Sequence, residues 1–586
     1  MLKAFLAGLF LILTASVSAN QKLGSLLDEI WQFELRINPT MATSRGVHQY
    51  DHLLSDVSAE GLKEQYQQAK AYLKKLDKLA GQNLSKQDRI SVLMQRRRLQ
   101  EMVDSYDYNA HYMPITSEYG FHSGLAFLTR TSKFNTVQDY ENYLARLTAF
   151  EDYFNHQISW MRKGLETGLT QPKVVLKDFE KTALAFVHDD ATQSQFYSPL
   201  KTIPAAINSN KQAALQEQAK KVISNTVMPA YQQFYDFLVE EYIPGAKQDI
   251  AAKSWPKGAE YYENRARYYT TLDMNSEEIH QLGLQEVKRI REDMQQVIDE
   301  VGFEGNHAEF VHFLRTDPQF YAKSAMELIK EATYLSKKID ALLPKLFYKL
   351  PRTPYGVAPV PDSIAPKYTT GRYISPSRDD QPGYYWVNTY ALDKRPLYSL
   401  PALTLHEAVP GHHLQNALAS EMDHLPPVRR YTYISAFGEG WGLYSEYLGK
   451  EIGFYETPYD EFGRLSYEMW RACRLVVDTG MHMQGWSRQQ AIDYMLENTA
   501  LSAHNVTTEI DRYISWPGQA LSYKLGEITI KRLRKEAEQQ LGEHFDLRAF
   551  HDMLLENGSV PLNVLEQHVR DYIKAQKAAQ TSESAI

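Results

Sequence analysis

The chain has 586 residues, a single cysteine and a formal net charge of −8. That length exceeds a small binding module and allows a large buried core, while an acidic balance with no basic run of about five or more consecutive residues argues against a nucleic-acid partner. One thiol excludes an intramolecular disulfide, which a core of this size does not need even in an exporting compartment.

At the N-terminus, Lys3 precedes an apolar run from Ala4 to Leu13, and Val17-Ser18-Ala19 offers small residues for cleavage before Asn20. The run is shorter than the ~20 apolar residues of a spanning helix. A removable leader over 1–19 is therefore expected, with the mature protein periplasmic or secreted. No cysteine stands at the cleavage point, so no stable membrane anchor is expected.

Long amphipathic helix dominates the rest of the chain. Thr136 with Asp139 makes a capping-type start, and Val137, Tyr140, Leu144, Leu147, Phe150 and Phe154 continue an apolar stripe. Ser276 opens another, with Ile279, Leu282, Val287, Ile290, Met294, Ile298 and Val301 on one face. Segments near 60–80, 86–106, 211–242, 322–348, 462–482, 488–499, 520–540 and 560–575 read the same way. Cys473, among Trp470, Ala472 and Leu475, reads as a small buried hydrophobe.

From Pro351 to Pro401 proline recurs too often for helix. Within this stretch Tyr384-Tyr385-Trp386-Val387-Asn388-Thr389-Tyr390 is rich in strand formers. As an edge strand it would hold an extended peptide through its main chain, with Asn388 and Tyr385 among the substrate contacts. An inert hairpin is the alternative.

The most informative stretch is His406-Glu407-Ala408-Val409-Pro410-Gly411-His412-His413, with Phe437-Gly438-Glu439-Gly440-Trp441 a helix-length gap further on. Two imidazoles and a remote carboxylate make the three-ligand set of a catalytic zinc, which keeps a fourth position for water. Glu407, beside a ligand, is placed to take that water's proton. The spacing departs from the usual pair of histidines four apart. Six residues turn about 240° around an ideal helix, so His406 and His412 would diverge. His413 returns to the right face but sits roughly 10 Å along the axis, too far to share one ion.

Pro410 and Gly411 supply a break. A bulge there that absorbs two residues would bring His412 into the place of a fourth residue. Spacing alone leaves His412 against His413 open. On the helix of Glu439, Glu446 lies two turns on along the same face; it reads as a solvated residue, with orientation of a ligating histidine as the alternative.

His406-Glu407-Ala408-Val409-Pro410-Gly411-His412, Glu439-Gly440-Trp441-Gly442-Leu443-Tyr444 and Pro517-Gly518-Gln519-Ala520-Leu521-Ser522-Tyr523-Lys524 together resemble the bacterial family catalogued as domain of unknown function 885. Further marks of the same resemblance, nearer either end of the chain, are Asn38-Pro39-Thr40-Met41-Ala42-Thr43, Glu278-Ile279-His280-Gln281-Leu282-Gly283 and Asn557-Gly558-Ser559-Val560-Pro561-Leu562. That family is similar to the helical gluzincin peptidases, of the thimet-oligopeptidase and angiotensin-converting-enzyme type. The resemblance implies His406, His412 and Glu439 as ligands of one zinc ion and Glu407 as general base. It also implies a tyrosine or histidine donor for the oxyanion, with Tyr523 the first choice and His482 the second. Arg471, Arg474 and Arg512 lie in the same region and could hold a substrate's terminal carboxylate; Arg512 is the best placed in sequence.

The expected fold is mainly α, a large helical two-lobed cleft with a small β element near the metal site. An N-terminal helical half over 20–350 and a catalytic half over 351–586 would form one continuous fold. The expected function is an exported zinc-dependent metallopeptidase acting on short peptides. Alternatives are a zinc-dependent esterase or non-peptide amidase, and a non-catalytic periplasmic peptide-binding protein. The donor set also suits iron or cobalt.

Overall fold

Helix caps are written into this chain, and the computed structural model uses them. It describes residues 2–362, 364–376 and 381–583, with side chains from Asn20 to Thr581 except Lys367; the leader expected over 1–19 lies outside the described side chains. Contacts divide the chain into two compact units, the first built from Met1–Ile250 and Ser254–Lys257, the second from most of the remainder. Among the described residues no helix is long and apolar enough to cross a membrane.

In the first unit, α1 (Leu2–Ile37) packs with α2 (Ala59–Ala80) and α3 (Lys86–Asp107). Ser58 and Ser85 cap the latter two by accepting from Gly61 and Asp88 backbone N–H groups. Leu26, Ile30, Phe33, Tyr72, Leu76, Leu99 and Val103 form their shared core. The Thr136–Asp139 capping box opens α4 (Val137–Thr148). The stripe does not continue as one helix to Phe154: the chain turns at Ala149, and α5 (Phe150–Thr167) starts afresh. The Asn38-Pro39 mark has a structural use here, since the Pro39 carbonyl accepts from Arg146, which also donates to Thr43 at 2.6 Å.

In the second unit, α6 (Ser276–Glu300) starts from a capping box of Asn275 and Glu278. Between α6 and helix α11 (Pro458–Thr479) come α7 (Ala325–Asp340), a three-stranded sheet, α8 (Leu400–Glu407), α9 (His412–Ser420) and α10 (Ser435–Glu451). Gly283 lets α6 lie close on α11, because a Cβ there would sit 2.7 Å from Leu475. Beyond α11 are α12 (Ala503–Ser515), α13 (Ser522–Leu541) and α14 (Leu562–Glu583). Helices α10 and α13 cross at Gly440 and Gly526, where a side chain on either would meet the other backbone. Lys524 of α13 is buried among Glu286, Glu468 and Glu527, at 3.1, 2.7 and 2.5 Å. Desolvating a lysine this way is tolerable only because carboxylates surround it. Cys473 is buried on α11, as its neighbours imply.

The proline-rich stretch forms β1 (Tyr355–Pro359), β2 (Gly371–Ile374) and β3 (Gly383–Val387) in the order β1-β3-β2. β1 pairs parallel with β3 and β2 antiparallel, with Tyr373 opposite Tyr385. The segment expected as an edge strand is therefore the centre of the sheet. Both its backbone edges are occupied, and an added strand would have to come to β2 or β1 instead.

Candidate metal centre

Helix α8 carries His406 and Glu407 to its C-terminal end and stops there. Ala408 and Gly411 leave helical geometry, with ψ of −112° and −130°, and α9 begins at His412. This is an interruption of four residues between two helices, not a bulge in one continuous helix. Its effect is the one the chemistry needs: the His406 and His412 rings come to 4.7 Å, centre to centre, nearly perpendicular. A Cβ at Gly411 would lie 1.9 Å from the His406 carbonyl oxygen, so only glycine permits this turn. The Pro410 carbonyl, freed by the break, accepts from the Trp441 indole N–H at 2.8 Å.

The third donor arrives on α10. Glu439 Oε2 stands 3.3 Å from His412 Nε2 and 3.6 Å from His406 Nε2. One ligand atom from each residue lies within 4.8 Å of the others, the only such group of three metal-binding side chains among the described residues. Gly442, one turn beyond Glu439, leaves room for the His406 ring, which a Cβ would meet at 2.7 Å.

Glu446 lies on the same face and is buried, not solvated: its Oε1 pairs with His406 Nδ1 at 2.7 Å. That bond fixes the ring and aims Nε2 at Glu439. Burial alone would favour neutral imidazole, but the Glu439 and Glu446 carboxylates raise His406 to about 9. Burial would likewise raise Glu439, yet the His412 and His406 imidazoles hold it well below the usual carboxylate range. The donor chemistry therefore fits a divalent cation: two imidazoles, one ionised carboxylate, and a second carboxylate behind the first imidazole. His413 is turned away, its Nδ1 3.1 Å from the Tyr373 hydroxyl and its ring against Tyr355. Burial pushes it down to about 4, a neutral core histidine.

Glu407 is buried beside His406, and its Oε2 accepts the backbone N–H of Tyr373 at 2.7 Å. Edge strand β2 thus holds the carboxylate by one oxygen and leaves Oε1 for other chemistry. Tyr433, which no sequence motif marked, donates its hydroxyl to Glu439 Oε1 at 2.9 Å and sets its ring 6.4 Å from His412. Nearly half of Tyr433 is exposed. Desolvation and the Glu439 carboxylate hold its proton well above the usual phenol range. Tyr523 is half-buried and close enough to Tyr433 to interact with it electrostatically.

Four expected site residues have other work. Asn388 is fully buried; its amide donates to the carbonyls of Ala365, Tyr368 and Thr369, and its oxygen accepts from Tyr390 N–H. It shapes the β2 approach, and its NH2 donors are all spent on backbone carbonyls. Tyr385 is fully buried in the central strand. His482 accepts from Ala252 N–H through Nδ1 and meets the Tyr513 carbonyl through Nε2, so neither nitrogen is available to an oxyanion. Arg512 pairs with Glu509 at 3.3 Å and bonds Gln519 beside Trp516. Each has the right chemical type for its expected role, and each is consumed by packing.

The profile of the family described as "Bacterial protein of unknown function (DUF885)" matches residues 39–569. No curated protein matches the chain. Among solved structures, a "putative lipoprotein" from Colwellia psychrerythraea is similar at a TM-score of 0.87 and 28% identity, over 96% of this chain and 100% of that one. A "putative lipoprotein of unknown function" from Shewanella oneidensis shares the fold at a TM-score of 0.71 and 19% identity, covering 94% of this chain and 99% of that one.

Proposed function

Because this chain belongs to the bacterial family of unknown function DUF885, its chemistry has to be read from its own residues, and we propose a zinc-dependent hydrolase of short peptides. The observation that carries this reading is the convergence of His406, His412 and Glu439 beside a buried carboxylate, Glu407, which is not needed to complete the set. A binding protein has no use for a general base next to a three-donor site.

His406, His412 and Glu439 would hold the zinc, which when bound supplies Lewis acidity toward a carbonyl and lowers the pKa of a nearby water. Glu407 Oε1 takes the proton of the attacking water while Tyr373 N–H fixes the other oxygen. As the water oxygen bonds to the carbonyl carbon and the C–N bond breaks, Glu407 passes that proton to the departing amine. Tyr523 is the hydroxyl donor near the cluster for the oxygen that gains negative charge, while the Tyr433 proton is spent on Glu439. Glu446 keeps His406 oriented throughout.

Export is part of the proposal. The Lys3, Ala4–Leu13 and Val17-Ser18-Ala19 pattern supports a leader, and the similar structure from Colwellia psychrerythraea is described as a "putative lipoprotein".

The test is mass spectrometry of a mixed peptide library incubated with zinc-loaded protein, with Glu407→Gln alongside. Cleavage by wild type alone is expected. A protein that demonstrably holds zinc and cuts no peptide would overturn the reading and leave ester or non-peptide amide bonds to be tried.

A further inference from the structure

Two arginines one turn apart on α11 are not used by this machinery. Arg471 and Arg474 are about 5% and 3% exposed, and both guanidinium carbons lie over the Trp470 ring, at 4.3 and 4.6 Å. The Tyr523 ring faces them, 4.2 Å from Arg474 and 5.9 Å from Arg471. Aromatic faces hold the two guanidinium groups in place without using their in-plane donors.

Those donors are not all satisfied. Arg471 gives one hydrogen bond, from Nη1 to the Tyr467 carbonyl at 3.3 Å, and its buried Nε has no partner. Arg474 donates Nε to the Tyr513 hydroxyl at 2.6 Å and Nη2 to Glu509 at 3.1 Å, and its buried Nη1 has no partner. Carboxylates are short as well. Glu509 is shared between Arg474 and Arg512. Glu446, 3.9 Å from Arg471 Nη2, already has the same oxygen bonded to His406. Asp478, which feels both Arg512 and Arg474, is raised by burial to about 7 and so is largely protonated in mild acid. Buried guanidinium N–H groups without acceptors are destabilising, and surplus buried cation requires an anion.

Location narrows the anion. Glu446 Oε1 lies between His406 Nδ1 and Arg471 Nη2, so the surplus charge stands one carboxylate away from a ligating histidine. The Tyr523 ring lies against Arg474 and within electrostatic reach of Tyr433, whose hydroxyl is on Glu439. A planar carboxylate offers two oxygens to two donors and suits such a pair. On a peptide, the carboxylate at a fixed position relative to the backbone is the C-terminal one.

We propose that Arg471 and Arg474 receive the C-terminal α-carboxylate of a peptide whose scissile bond lies at the His406–His412–Glu439 cluster, which makes the enzyme one that trims peptides from their C-terminal end. This rests on the peptidase reading and replaces Arg512 as the carboxylate anchor.

The experiment uses full-length, zinc-loaded Glu407→Gln protein and calorimetric titration with a mixed-sequence pentapeptide pool, N-acetylated throughout, as free acids and as C-terminal amides. The free acids are expected to bind about tenfold tighter or better, the size of one charge-assisted pair. Arg471→Gln in the same background should erase that preference and leave amide affinity as it was, while Arg471→Lys should restore part of it. Equal affinity for acids and amides, or no binding of either pool, overturns the proposal. If Arg471→Gln fails to fold, the comparison of the two pools still decides. A second arm incubates both pools with zinc-loaded wild type. Acid preference in binding without cleavage keeps the carboxylate site and removes the peptidase reading; equal cleavage of acids and amides does the reverse.

Discussion

The indole N–H of Trp441 donates to the carbonyl of Pro410 at 2.8 Å, joining the helix that carries Glu439 to the break that separates His406 from His412. A proline-glycine interruption leaves carbonyls without helical partners, and a buried carbonyl needs a donor from elsewhere. The Glu439-Gly440-Trp441-Gly442 run is thus one device: Glu439 completes the His406–His412 cluster, Trp441 clamps the break, and Gly442 seats the His406 ring.

Trp441→Phe keeps a buried ring and removes the N–H. Leaving the Pro410 carbonyl unsatisfied should cost about 1–3 kcal/mol, read as a lower thermal midpoint. It should also weaken metal binding, because His412 is set by the same turn. Unchanged stability and unchanged zinc affinity would show that the break holds without its clamp.

Glu446→Ala should lower zinc affinity about 10- to 100-fold, the usual effect of losing a partner behind a ligating histidine, while Glu446→Gln should lose less. Competition with a chromogenic chelator measures both. Equal affinity in Glu446→Ala and wild type would mean that packing alone orients His406.

His412→Ala should abolish stoichiometric zinc, and His413→Ala should retain it while losing the bond to Tyr373, at a cost of about 1–2 kcal/mol in unfolding free energy. Metal analysis of the two purified variants separates them. The opposite pattern would sink the ligand assignment.

Asp478 supplies a pH signature outside the ligand set. Burial raises its carboxyl to about 7, against the Tyr262 hydroxyl, Gly518 N–H and nearby arginines that lower it. The unfolded chain loses this proton near pH 4, so between about 4 and 7 the folded state binds more protons and stability falls as pH rises. Asp478→Asn keeps an oxygen for Tyr262 and Gly518 and removes the titration. It should match wild type near pH 4 and exceed it above pH 7, on the order of 1–3 kcal/mol, in denaturant unfolding. Parallel pH profiles would remove Asp478 from the account.

Much of this protein is readable from its sequence because the determinants are local. Capping boxes at Thr136–Asp139 and Asn275–Glu278, the apolar stripes of α2, α3 and α6, the proline-rich exception and the pair of motifs around His406 and Glu439 each act within one or two helical turns. Mainly helical architecture comes from them, and so does the residue set of the His406–His412–Glu439 cluster. The tertiary structure decided the rest. It set His412 rather than His413 beside Glu439, put Tyr385 and Asn388 deep in the sheet region, buried Glu446 behind His406, brought Tyr373 to Glu407 and Tyr433 to Glu439, and closed Arg512 onto Glu509. The Tyr373–Glu407 and His406–Glu446 pairings join residues 34 and 40 positions apart across separate elements. Which face of a helix meets which partner depends on the packing of those elements, and a periodicity confined to one helix carries no record of it.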